Sequence, residues 1–159
     1  MNNEILKTIN EAAEKFGRLN LSSGNCGQFS LAIAQYLKEK GYKPEIGILH
    51  KYDEDVKDLD DLACEEIAIY HIVITIDNNI FDSTGKITTD DLIEFSSREY
   101  NDSEPSYIHG IDIDKNAMAL KTIINFETDW TIEACVFYDF IKKNNAPKTN
   151  INRSLNHRL

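Results

Sequence analysis

The apolar positions of this chain switch from a helical period to strict alternation and back, and the switches lay out its elements. Ile5, Ile9, Ala12, Ala13 and Phe16 share one face of a helix over residues 2–16, which Gly17 ends. A second helical stripe, Phe29, Ile33, Tyr36 and Leu37, runs to the stop signal Gly41. Pro44 then introduces a strand over Glu45–His50. From Glu66 to Ile76 the residues alternate, with Ile67, Ile69, His71, Val73 and Thr75 on one side and Ala68, Tyr70, Ile72, Ile74 and Ile76 on the other. β-Branched residues dominate both sides, which predicts a central strand buried on two faces. Asp77-Asn78-Asn79 is a turn, and Ile80 to Thr84 returns as the second arm of a hairpin.

The later signals are weaker. Thr88 or Thr89 caps a short helix through Phe95, residues 96–106 read as loop, and Tyr107 to Ile113 alternates like a strand. Asp114 caps a helix carrying Ala117, Leu120 and Ile124, and Asp129 caps another whose stripe is Ile132, Cys135, Val136 and Phe140. Residues 144–159 are polar, aperiodic and interrupted by Pro147, so they read as a flexible tail behind a single domain over 1–143. Helices, then antiparallel strands, then helices describe an α+β fold.

Composition narrows the function classes. A net charge of −10 argues against a nucleic-acid backbone as partner and fits a neutral or basic protein or peptide. No stretch reaches the roughly 20 apolar residues of a membrane helix, and the start of the chain has neither the basic nor the apolar part of a secretion signal. Three cysteines make no disulfide framework, and the expectation is a cytoplasmic protein with reduced thiols, working without a cofactor.

One of those cysteines is placed as a nucleophile would be. Ser22-Ser23-Gly24-Asn25-Cys26-Gly27-Gln28 delivers Cys26 to the first turn of the second helix, where partial positive charge favours thiolate over thiol. The glycines on both sides let a substrate approach. Such a thiol needs a base and a group to orient it. His71 stands in a strongly apolar strand, and Asp82 follows on the partner arm. If Asp77-Asn78 is the turn, His71 and Asp82 are diagonal neighbours on one face, roughly 7–8 Å apart between backbones. A turn at Asn78-Asn79 draws them apart and requires a bulge.

These residues resemble the transglutaminase-like branch of the papain-like cysteine enzymes, whose core runs nucleophile helix, strand, His strand, Asp strand. Gly24-Asn25-Cys26 with its helix and Gly41-Tyr42-Lys43-Pro44 match the first part of that pattern, and His71 through Thr84 matches the second. The resemblance implies N-terminal helices packed on a small antiparallel sheet, with Cys26 as nucleophile, His71 as general base and Asp82 as its orienter. Val73 stands where that family often carries an aromatic residue. An oxyanion would be held by the Cys26 N–H and a side-chain amide from Asn20, Asn25 or Gln28. The activity implied is acyl transfer of the protease, amidase, deamidase or transglutaminase type. The alternative is the same fold with an idle triad, acting as a protein-binding modulator or inhibitor.

Other motifs fall away. Asp112-x-Asp114-x-Asn116 opens like a calcium loop, but Ala117 replaces the needed glycine and Ile123 the bidentate glutamate. Cys64 and Cys135 lack the spacing of a zinc site, so no metal is expected, and Cys135 reads as core. His50 and His109 read as structural or surface residues, and His157 lies in the tail. The acidic residues of 51–66 read as a solvated loop or short exposed helix, and as a candidate rim favouring a basic substrate.

Overall fold

A strand apolar on both faces is satisfied only inside a sheet that is covered on both sides, and Ile69–Ile76 occupies that place. The computed structural model describes residues 2–17, 25–126 and 134–145, and these form an α+β fold. In chain order the elements are α1 (Asn2–Phe16), α2 (Cys26–Glu39), β1 (Glu45–His50), α3 (Leu59–Cys64), β2 (Ile69–Ile76), β3 (Asn79–Asp82), β4 (Gly85–Ile87), α4 (Thr89–Tyr100), β5 (Ser106–Ile111), α5 (Ala117–Phe126) and α6 (Ala134–Asn144). The sheet is antiparallel, ordered β4-β3-β2-β1-β5.

The two faces of β2 meet different partners. Ile72, Ile74 and Ile76 belong to the main core, with Ile5 and Ile9 of α1, Phe29, Ile33 and Leu37 of α2, Ile124 of α5 and Phe137 of α6. Phe137 meets Phe16 and Phe29 edge to face, at centroid distances of 4.6 and 5.9 Å. On the opposite face Val73, Leu49 and Ile80 pack with Leu92 of α4 in a smaller cluster.

Several elements depart from the expected pattern, each for a local reason. β2 begins at Ile69 rather than Glu66, and the hairpin continues into a further short strand, β4, after a turn at Ser83-Thr84. The α4 helix does not stop at Phe95. Its Thr88 capping box starts it, and it continues to Tyr100 because Asn101 takes a left-handed conformation (φ 52°) and the Ser96 hydroxyl donates to the Asp102 carbonyl, 2.7 Å away. Residues 96–100 are therefore helix rather than loop. β5 ends at Ile111, where the Asp112 carboxylate accepts the N–H groups of Asp114 and Lys115, each at 2.9 Å. Asp114 thus sits inside a turn, paired with Lys38, instead of capping α5.

On α6 the buried side chains are Phe137 and Ile141, while Cys135 and Val136 are exposed. The helix is rotated so that its aromatic residue, the better space-filler, reaches the core, and Cys135 is not a core residue. Asp129, Ile132 and the proposed tail beyond residue 145 lie outside the described residues. Among the described residues no helix is long and apolar enough to cross a membrane.

Candidate active site

Cys26 is the first residue of α2, and the helix is set against β2 with little clearance. A Cβ at Gly27 would stand 2.8 Å from Ile124 Cγ1 and 3.0 Å from Ile72 Cδ1, so only glycine allows this approach. The purpose of Gly27 is close packing, rather than the access to sulfur that its position implied. One turn further on, the buried Ser30 hydroxyl donates to the Ile72 carbonyl at 3.1 Å, tying α2 to the residue that follows His71.

The hairpin takes the register in which Asp77-Asn78 is the turn. Both residues have positive φ (49° and 65°), as a two-residue turn of the primed type demands, and asparagine and aspartate tolerate that region best after glycine. Ile74 pairs with Phe81 and Ile76 with Asn79, leaving His71 diagonal to Asp82. A bulge at Tyr70, where β1 pairs His50 with Ile69 and Leu49 with His71, lies immediately before the histidine.

The diagonal closes into a hydrogen bond: His71 Nε2–H donates to Asp82 Oδ2 at 3.0 Å. An ionised carboxylate only accepts, which assigns the proton on Nε2. The other Asp82 oxygen accepts from the N–H and hydroxyl of Thr84, at 2.8 and 2.5 Å. Thr84 is a site residue that sequence reading missed, although its spacing from Asp82 is that of an Asx turn.

Cys26, His71 and Asp82 are nearly sealed, at 5%, 3% and 8% exposure. Burial works against the imidazolium, but the hydrogen bond to Asp82 and the interaction with Cys26 outweigh it and lift His71 to about 9. Burial likewise pushes the Asp82 carboxyl up, and the bonds from His71 and Thr84 more than reverse this, holding it below its ordinary value. Both shifts favour the charged pair, an imidazolium beside a carboxylate. Nδ1, the second ring nitrogen, is buried and finds no hydrogen-bond partner among the described residues.

A cleft of about 680 Å³ opens onto this pair, lined by His71, Asp82 and Thr84 on the sheet side and by one face of α4. Phe95 of α4 lies over the His71 ring, centroids 4.8 Å apart. None of residues 51–66 lines the cleft, so the acidic segment is not its rim; apart from Asp82, the acidic side chains there come from α4. Of the oxyanion candidates, Asn25 and Gln28 are buried on the same turn as Cys26, and Asn20 lies outside the described residues.

His50, His109 and Cys64 are not among the residues lining this cleft. Burial lowers the pKa of His50, against the opposing effect of its 2.7 Å bond to the Lys51 carbonyl, and His109 is exposed on β5, stacked on Tyr107. Cys64 is exposed on α3. Among the described residues no group of three or more His, Cys, Asp or Glu is placed to hold a metal ion. Comparison with protein families, with curated proteins and with solved structures returned no match for this chain.

Proposed function

We propose that this protein is a cysteine-dependent acyl-transfer enzyme with a transglutaminase-like core, in which Cys26 is the nucleophile, His71 the acid–base group and Asp82 its orienter. The observation that carries the reading is the division of the His71 ring: Asp82 holds Nε2 at 3.0 Å, while Nδ1 is buried with no hydrogen-bond partner among the described residues, and nearby Cys26 favours the charged form of the same imidazole.

In that arrangement an imidazolium is the counter-charge of a Cys26 thiolate. The sulfur attacks the carbonyl carbon of an amide, and the oxygen takes up the electron pair at the start of α2. The Cys26 N–H and the amides of Asn25 and Gln28 are its candidate donors there. Collapse expels the amine, which takes the proton from Nδ1 and leaves a thioester. Water then gives a proton to Nδ1 while its oxygen attacks, and the second collapse releases the carboxylic acid and restores the thiolate. An amine in place of water gives amide exchange by the same steps.

The second reading, an idle triad in a partner-binding protein, draws on the near-complete burial of the three residues and on Phe95 covering His71. p-Nitrophenyl acetate separates the two. An acyl-transfer enzyme releases nitrophenolate with acetylation of Cys26, lost in Cys26→Ala and slowed in His71→Ala. Acetylation confined to lysines and the exposed Cys64 favours the idle reading.

A further inference from the structure

We propose that the cleft beside His71 recognises a cationic side chain, of the arginine or lysine type, in a polypeptide. This deepens the acyl-transfer reading by naming its substrate class, and it rests on that reading only for what happens after binding.

The cleft lining is unbalanced in charge. Asp82, Asp91, Glu94 and Glu99 face Arg98 and the His71 imidazole. Asp82 is taken by His71, Asp91 by the Thr88 cap and Glu99 by Arg98 at 3.0 Å, but Glu94 has no ion-pair or hydrogen-bond partner among the described residues. The four carboxylates outnumber the two cationic groups of the lining, and an incoming cation finds one carboxylate uncommitted. The apolar part of the wall, Ile87, Leu92, Phe95 and Tyr100, suits the methylene stem of a long basic side chain. The rim already shows the geometry: the Arg98 guanidinium lies 5.9 Å over the Phe95 ring while its Nε bonds Glu99.

Two further observations bear on the ligand. His71 and Asp82 form part of the cleft wall, so a side chain seated there lies against the hydrogen-bonded imidazole and carboxylate. At about 680 Å³ the cleft falls within the range of ligand sites, roughly 300–1,000 Å³. A second groove adjoins it. Tyr100 lines both the cleft and this groove of about 850 Å³ beside Tyr52, Tyr70 and Asp102, which gives room for flanking chain on one side. A groove on the other side of Tyr100 suits the flanking residues of a polypeptide better than a free amino acid.

Binding is tested without turnover. The full chain carrying Cys26→Ala is titrated calorimetrically with an N-acetylated, C-amidated tripeptide bearing a central arginine, and with its neutral citrulline isostere. The arginine peptide is expected to bind about tenfold tighter, and Glu94→Gln with Glu99→Gln to reduce the preference to about threefold or less. Both glutamates are exposed on α4, so the double variant keeps its fold. Equal affinities, binding of neither peptide, or a preference that survives in the double variant overturns the proposal. A peptide preference without Cys26 acetylation removes the enzyme reading and leaves this site, and acetylation without the preference does the reverse.

Discussion

Asp82→Ala is expected to cost about 3 kcal/mol of stability near pH 6, because it leaves a protonated imidazole buried without its carboxylate. The loss includes more than a charge pair, since Asp82 also satisfies the N–H and hydroxyl of Thr84. The pH dependence follows from the two shifts. Asp82 is lowered, so its contribution is present above the unfolded carboxylate value of about 4 and is lost as pH falls through its folded value. His71 is raised to about 9, so its contribution is complete below the unfolded value of about 6.5 and is lost as pH rises through 9. The gap between wild type and Asp82→Ala in urea unfolding should therefore be widest between about pH 4 and 6.5 and narrow towards pH 9. A gap that is flat over that range, or that widens towards pH 9, contradicts the pairing.

Gly27→Ala is the second large effect expected, about 2 kcal/mol, because overpacking displaces well-set neighbours. The new methyl meets Ile124 Cγ1 at 2.8 Å, and that atom is held close to its backbone. The helix start must move, carrying Cys26 away from His71, so thiol reactivity should fall together with stability. Truncating the neighbour supplies the control. Gly27→Ala combined with Ile124→Ala should be less destabilising than the two changes added, as residues in direct contact couple. Strict additivity, measured in a double-mutant cycle, means that the helix start is not set by this contact.

The hairpin was legible because parity is unforgiving: shifting a strand by one residue sends every side chain to the other face. The pattern of β2 left two turns open, Asp77-Asn78 and Asn78-Asn79, and the first, which the chain takes, keeps His71 and Asp82 together. Cys26 at the start of α2 was equally legible, since the apolar stripe from Phe29 to Leu37 fixes where that helix runs. What failed depended on tertiary packing. Cys135 and Phe137 lie two residues apart on one helix, and the rings of Phe16 and Phe29 decide that the phenylalanine turns inward. Residues 96–100 lack an apolar stripe, and their helix is held by the Asn101 cap and by Tyr70, whose hydroxyl donates to Asp102 at 2.8 Å. Gly27 looked like an access residue because sequence does not reveal that Ile124, distant along the chain, comes to lie against it. The acidic wall of the cleft was missed for the same reason, as α4 had to extend past Phe95 before Arg98, Glu99 and Tyr100 belonged to it.

The most direct measurement is the pH dependence of iodoacetamide alkylation at Cys26, read by peptide mass spectrometry in wild type and His71→Ala. Exposed Cys64 and Cys135 in the same molecule serve as internal references. An ordinary thiol ionises near pH 8.5, so a thiolate paired with the His71 imidazolium should react well below about pH 8, ahead of both references. At pH 6 the rate at Cys26 should then fall by about 100-fold in His71→Ala. If Cys26 follows the profile of Cys64 in both proteins, sulfur and imidazole do not act together, and the acyl-transfer account is wrong.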